Sequence, residues 1–399
     1  MGLGGGGGDI FPTLFPVGDY RNMQGLQRGS PDNYVLLIVF VLTCLGVIMA
    51  YSAPAPIKYS LDHFYIIKRH GCFAAVGFAL LLIARSIDYH LWKKLAVWIL
   101  ASSIVLLILV FVPGVGESYF GAASLINLGH GFHFEPTELA KLAMILYLAY
   151  SFDKKQEKMK TFGPGFISYM LVLFIFIILF LEQPDLSSSI IMFLLVFSML
   201  FVAGTRVKYL FSVFLLFFPF LYYLLINGPA YRLRRIAELF TWDGPHGICS
   251  HIMHSLMSLG TGGAFGHGLF AGIHKQFDYP DYHTVFIFEL IAQEMGAVGA
   301  VAIITLFIVL VLKGLRIAKA AGDAFGKFLA LGIAILIGIE VTLSVGVDTG
   351  VIPTKGVLLP FISYGGNSLL MHCLAIGILL NISSWRPPTD SDIHHRAVH

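Results

Sequence analysis

Charged residues are scarce in this sequence, and their scarcity excludes most classes of soluble protein. Only 12% of the 399 residues are Asp, Glu, Lys or Arg, while 57% are hydrophobic. A soluble chain of this length needs more polar surface than that. The formal net charge of +3 also gives no reason to expect a nucleic-acid partner. Cysteine is sparse as well: four scattered residues without a CxxC motif exclude a disulfide framework.

Long apolar runs are what the sequence has instead. Each is compatible with crossing ~30 Å of hydrocarbon as a helix. We therefore predict an all-α integral membrane protein of about ten transmembrane helices. The predicted spans are 34–52, 71–84, 95–112, 136–152, 163–181, 186–203, 207–227, 284–312, 326–347 and 367–384.

The positions of the basic residues predict the orientation. With the N-terminus inside the cell, 17 of the 26 Lys and Arg residues fall on cytoplasmic segments, as the positive-inside rule requires. Both termini are then cytoplasmic. Residues 1–33 are predicted to be a disordered Gly-rich tail, 34–385 the membrane domain, and 386–399 a second cytoplasmic tail. A long external loop, 228–283, joins helices 7 and 8.

Ionisable side chains inside the predicted spans are candidates for function, because burial in lipid is costly. Glu138 and Lys141 lie three residues apart on one helix face, after Pro136 at a position typical of a first turn. They could instead be an intrahelical ion pair that tolerates burial. Further candidates lie in or near the eighth and ninth spans: Glu289, Gln293, Glu294, Glu340 and Asp348.

The long loop carries three further patterns. Its cations could bind a pyrophosphate group, since Arg matches phosphate geometry, or could form a membrane-surface belt. These cations are Arg232, Arg234, Arg235 and Lys275. A glycine run at 260–268 is a weak signal for a backbone phosphate nest. Three histidines and a cysteine at 246–254 have a spacing that could ligate zinc, but it is not a standard one, and we predict no metal ligands.

Three motifs together resemble the SEDS family (shape, elongation, division and sporulation) of polytopic peptidoglycan polymerases. They are FEPTELAK at 134–141, close to the family's FQPSELAK; QPDL at 183–186; and PTKGVLLPFISYGGNSL at 353–369. The resemblance extends from residue 33 to residue 385. The Lys in PTKG favours the division-type, FtsW-like branch.

The resemblance implies a function at the outer face of the bacterial cytoplasmic membrane, at the division septum. Family members polymerise lipid II, an undecaprenyl-pyrophosphate disaccharide-pentapeptide, by glycosyl transfer, and they pair with a class B penicillin-binding protein and other divisome proteins. Substrate-binding roles are implied for a set of matching residues. These are Glu138, Lys141, Arg232, Lys275, His283, Lys355 and Ser363.

The sequence departs from the family pattern around the expected catalytic centre. The family's HTD ends in an essential Asp, and here the motif reads His283–Thr284–Val285. Because Val cannot accept a proton, enzymatic activity stays open, and Asp281 is the nearest substitute base. Other departures are GAASL at 121–125 for GARRW, histidines at 251 and 254 for two Gln, and Gln293–Glu294 for a Glu pair.

Three functions therefore remain: a lipid II glycosyltransferase, a catalytically silent scaffold that regulates a transpeptidase, and a transporter of lipid-linked precursors. Transport is the weakest of these, because the sequence shows no internal repeat. No definite cofactor is indicated, and a divalent cation such as magnesium is left open.

Overall fold

A computed structural model of the chain describes residues 27–52, 65–119, 122–127, 129, 133–156, 159, 161–226, 250–271, 286–352 and 356–386. Within these ranges the chain forms eleven α-helices. They are α1 (Asn33–Ser52), α2 (Tyr65–Ser86), α3 (His90–Leu109), α4 (Pro136–Lys154), α5 (Ser168–Glu182), α6 (Leu186–Val202), α7 (Val207–Ile226), α8 (Ser250–Thr261), α9 (Ile287–Ala320), α10 (Ala324–Asp348) and α11 (Gly366–Ser384). A π-helical turn, Gly163–Ile167, leads into α5.

Ten of these helices coincide with the ten predicted spans, and α8 lies in the predicted external loop. Seven of the described helical segments are long and apolar enough to cross a membrane, in α1, α2, α3, α5, α9, α10 and α11. The apolar helix α6 is one residue short of that length, at 17 residues. The predicted all-α membrane fold is confirmed. The sidedness of the termini stays a prediction, and "outer" and "cytoplasmic" below refer to it.

Capping side chains at the N-termini define where α6 and α10 begin. The Asp185 carboxylate accepts a hydrogen bond from the Ser188 N–H at 3.0 Å at the start of α6, and Asp323 does the same for the Gly326 N–H at 3.2 Å at the start of α10. Pro136 occupies the first turn of α4, where its missing N–H costs nothing. These caps define the connections on both faces of the bundle.

The helix α9 breaks at Gly296, which has a φ of +70°. A Cβ there would overlap the backbone of Ala264 and Gly266, so only glycine fits this close approach. The glycine run after α8 hydrogen-bonds across the break, with the N–H of His267 donating to Gln293 O at 3.1 Å and that of Gly268 to Glu294 O at 3.0 Å. The run therefore anchors α9, and the N–H groups of His267 and Gly268 are used in this contact and are not free to bind a phosphate.

Small strands lie on the two faces of the bundle. On the outer face, β2 (Gly116–Tyr119), β3 (Ala122–Asn127) and β4 (His133–Phe134) form an antiparallel sheet between α3 and α4. On the cytoplasmic face, β1 (Gln27–Arg28) pairs with β5 (Trp385–Arg386).

The prediction of a disordered tail over residues 1–33 stays a prediction, and the structure describes only residues 27–33 of it. These residues are tied to the C-terminal end of α11. The N–H of Asp32 donates to Ser383 Oγ at 3.1 Å, and Lys313 Nζ donates to Asp32 Oδ2 at 2.9 Å. Sequence patterns do not reveal such a contact, because its partners are far apart in the chain.

The core is centred on α10. This helix packs against α4, α6, α9 and α11, and α11 packs against α2. The most apolar windows of α10 and α11 are 72% buried within the protein, against 22% for α2 and α3. Polar side chains on the outer halves of α4, α10 and α11 therefore meet inside the bundle rather than at the lipid.

Candidate functional site

Lys141 is the centre of a buried cluster of charges in the outer half of the bundle. Its Nζ donates to Glu138 Oε1 at 2.8 Å and to Glu340 Oε1 at 2.5 Å. All three residues are at most 7% exposed. The i, i+3 spacing on α4 brings Glu138 to Lys141, and the packing of α10 on α4 brings Glu340. One ammonium group thus compensates two carboxylates.

His372 on α11 extends the cluster. Its Nε2 lies 2.5 Å from Glu340 Oε2, and its Nδ1 lies 2.7 Å from the backbone oxygen of Ser368. A carbonyl oxygen only accepts, so Nδ1 carries a proton. A second proton must then lie between Nε2 and the Glu340 carboxylate. With that proton on His372, the two cations balance the two carboxylates, which makes burial of the cluster tolerable.

A small cavity of about 30 Å³ lies beside this cluster. Its lining combines four carboxylates, one ammonium group and a few neutral groups. It consists of Glu135, Glu138, Lys141, Asp185, Ser188, Ile191, Glu340, Gly356, Val357, Leu358 and Ser368. That volume corresponds to about one water molecule, so a sugar ring can contact its rim but not enter it.

Glu135 lies at this cavity just before α4 begins, and its side chain is half-buried. The Thr137 hydroxyl donates to its Oε1 at 3.1 Å. Burial, and then the neighbouring carboxylates of Glu138 and Asp185, raise the pKa of Glu135 to about 7. A carboxyl group with such a pKa is suited to both accepting and releasing a proton near neutral pH.

The structure brings together Glu138 and Lys141 among the predicted site residues. Ser363 lies apart from the cavity lining, 4% exposed, and its Oγ accepts a hydrogen bond from the Leu359 N–H at 2.9 Å. The other predicted positions lie outside the described residues. These are Arg232, Lys275, Asp281, His283, Val285 and Lys355, together with the histidine and cysteine side chains at 246–254.

Three members of the cluster or its cavity were not singled out by the sequence. His372 stands alone in an apolar run and gives no periodic signal. Asp185 was visible only as part of QPDL. Glu135 was detectable, because it stands where the family motif FQPSELAK has Gln, but that difference carries no meaning until the pocket is known.

Comparisons with known proteins cover almost the whole chain. The family model described as "Cell cycle protein", FtsW/RodA/SpoVE, matches residues 32–386. A probable peptidoglycan glycosyltransferase FtsW from Geobacter metallireducens is 45% identical over 365 residues, which is 91% of this chain and 96% of the relative. Stage V sporulation protein E of Bacillus subtilis is 37% identical over 363 residues, covering 90% and 98% of the two chains.

Solved structures share the fold. A chain from a structure titled "Structural coordination of polymerization and crosslinking by a peptidoglycan synthase complex" aligns with a TM-score of 0.73 and 24% identity, covering 88% of this chain and 97% of that one. The rod shape determining protein RodA of Thermus thermophilus aligns with a TM-score of 0.65 and 23% identity, covering 88% and 96%.

Proposed function

Since the chain belongs to the FtsW/RodA/SpoVE family, we propose that it is an FtsW-type peptidoglycan glycosyltransferase that polymerises lipid II at the outer face of the cytoplasmic membrane. Relatives at 45% identity bear the name "Probable peptidoglycan glycosyltransferase FtsW". The observation that carries the proposal is the Lys141 cluster with the carboxylate-lined cavity beside it.

The charges of the cavity favour a sugar over a phosphate. Lys141 and His372 balance Glu138 and Glu340, so the carboxyl groups of Glu135 and Asp185 give the lining an excess of negative charge. Carboxylates accept hydrogen bonds from sugar hydroxyl groups, whereas they repel a pyrophosphate. The acceptor sugar therefore contacts this rim. The pyrophosphate of the donor binds instead to the cations implied by the family resemblance, which are Arg232, Lys275 and Lys355.

Glu135 is the residue we assign as general base in place of the family's Asp. It is half-buried at the cavity, and its pKa of about 7 matches neutral pH. Its carboxylate takes the proton of the acceptor hydroxyl, the hydroxyl oxygen attacks the anomeric carbon of the donor, and the lipid pyrophosphate leaves. Asp281, proposed from the sequence, is the competing base.

The test is polymerisation of lipid II by the purified full-length chain, alone and with a candidate class B penicillin-binding protein. We expect glycan strands from the native chain and a rate ~10²–10⁴-fold lower for Glu135→Gln. Glu182→Gln, which changes an exposed carboxylate at the outer end of α5, serves as the matched control and should polymerise normally. Loss of polymerisation in Asp281→Ala but not in Glu135→Gln would assign the base to Asp281 instead.

A second candidate function is a catalytically silent scaffold that regulates a transpeptidase at the septum. Val285 favours it, because the family's essential Asp is missing there. A native chain that binds the transpeptidase but forms no glycan strands, with or without it, would support the scaffold and contradict the enzyme.

A further inference from the structure

Two buried carboxylates meet at the outer ends of α9 and α10, away from the cavity described above. Glu289 is 1% exposed and Asp348 is fully buried. The two helices pack against each other, and α8 contacts both of them. Among the residues that the structure describes, none of their four carboxylate oxygens has a hydrogen-bonding partner. Two carboxylates in a dry site are strongly unfavourable unless something compensates their charge.

Two more unpaired oxygens lie on the same helix faces. Gln293 is one turn beyond Glu289 on α9, and Ser344 is one turn before Asp348 on α10, so each shares the face of its carboxylate. Both are buried, and within the described part of the chain neither Gln293 Oε1 nor Ser344 Oγ has a hydrogen-bonding partner. Buried polar side chains are normally hydrogen-bonded. The contact between α9 and α10 thus contains an oxygen-rich cluster with unused acceptors.

The neighbouring groups do not satisfy these oxygens. The Ser255 hydroxyl of α8 approaches Glu289, but it donates its hydrogen bond to the backbone oxygen of Asp348 at 2.6 Å. The N–H groups of Phe288 and Glu289 lie near the Asp348 carboxylate without forming a bond that meets hydrogen-bond geometry. In the described ranges, no Lys, Arg or His forms an ion pair with Glu289 or Asp348.

We infer that Glu289 and Asp348 bind a divalent cation, with Gln293 Oε1 and Ser344 Oγ as further ligands. An all-oxygen set with two carboxylates suits hard cations of the Mg²⁺, Mn²⁺ and Ca²⁺ class. The bound cation neutralises both carboxylates and gives the unpaired oxygens a partner. It also joins α9 to α10 directly beneath α8, which is fixed to this point by the Ser255 hydrogen bond. The site is independent of the proposed catalytic activity.

The experiment is a titration of the purified full-length chain in detergent with Mn²⁺ alone, followed by the electron paramagnetic resonance signal of free Mn²⁺. We expect one equivalent of Mn²⁺ to bind with a dissociation constant in or below the ~10⁻⁴–10⁻³ M range of extracellular Ca²⁺ modules. Because the affinity of such sites depends on the number of charged ligands, Glu289→Gln and Asp348→Asn should each lower the affinity for this Mn²⁺ by ~100-fold or more. Gln293→Leu should lower it by less, and the exposed control Glu182→Gln should leave it unchanged.

Thermal unfolding provides a second readout that separates lost binding from lost folding. Mn²⁺ should raise the unfolding temperature of the native chain and of Glu182→Gln, but not that of Glu289→Gln. In chelator, Glu289→Gln should be at least as stable as the native chain, because it removes an uncompensated charge. Absence of bound Mn²⁺ in the native chain, or equal binding by native chain and variants, would overturn the inference. The first result would mean that protons neutralise the pair.

Discussion

The ammonium group of Lys141 lies 2.5 Å from Oε1 of Glu340, a residue 199 positions away in the sequence. This ion pair joins α4 to α10 inside the bundle, and both side chains are at most 4% exposed. A buried ion pair contributes little net stability when complete, but removing one partner leaves a buried charge without compensation.

Lys141→Met should therefore be strongly destabilising. It keeps the length of the side chain and leaves both Glu138 and Glu340 without their cation. We therefore expect the free energy of unfolding to fall by ~3–5 kcal/mol. Thermal or denaturant unfolding in detergent measures the effect. The matched control is Lys93→Met, whose ammonium group pairs with Asp153 at 2.7 Å with both side chains partly exposed. Lys93→Met should lower the free energy of unfolding by at most ~1 kcal/mol. Equal decreases in the two variants would contradict the assigned role of Lys141.

Glu135 should make stability depend on pH near neutrality. Its pKa, about 7, is raised above its ordinary value, so between roughly pH 4.5 and 7 the folded chain binds a proton that the unfolded chain has released. Stability must then fall as pH rises through that window and level off above it. Glu135→Gln should lose stability less steeply between about pH 5 and 8, measured as the unfolding temperature.

The control for this pH effect is Glu182→Gln, which should follow the native chain throughout. An unchanged slope in Glu135→Gln would mean that the carboxyl group of Glu135 titrates at its ordinary pKa. It would then be a weaker candidate for the base.

On the cytoplasmic side, Tyr89→Phe should weaken the start of α10. The Tyr89 hydroxyl donates to Asp323 Oδ1 at 2.5 Å, and the same oxygen caps α10 through the Gly326 N–H. Burial, and then Asp323, raise the pKa of Tyr89, so the hydroxyl stays protonated as a donor. We expect Tyr89→Phe to lower the free energy of unfolding by ~1.5–3 kcal/mol, the range for a hydrogen bond to a charged group. Tyr34→Phe, at an exposed ring, should change stability by far less.

The orientation of the chain is tested by reporters. A reporter fused after His399 should be cytoplasmic, and one inserted near Asp243 in the long loop should be external, because the basic residues are concentrated on the predicted inner segments. A reporter on the opposite side at either position would overturn the span assignment.

The sequence was sufficient to predict the helices and the pairing of two residues of the site. Apolar runs of membrane length predict helices directly, and Glu138 and Lys141 are paired by helical spacing alone. The approach of Glu340 to Lys141 and of His372 to Glu340 could not be predicted, because it depends on how α10 and α11 are rotated against α4. The juxtaposition of Glu289 and Asp348 depends in the same way on how α9 packs against α10. The sequence identifies each of these carboxylates but does not indicate that they lie near each other.

Val285→Asp provides the decisive test of how this chain replaces the missing Asp. If Glu135 is the base, the native chain already polymerises lipid II, and Val285→Asp alone changes the rate little. In the Glu135→Gln background, however, Val285→Asp returns a carboxylate at the family's position, beside His283 and Thr284. It should restore much of the ~10²–10⁴-fold loss. Polymerisation in vitro, with and without the transpeptidase, measures all four combinations. A large gain from Val285→Asp in the native background would show that no substitute base operates. Failure of all four to form glycan strands would leave the scaffold as the function of this chain.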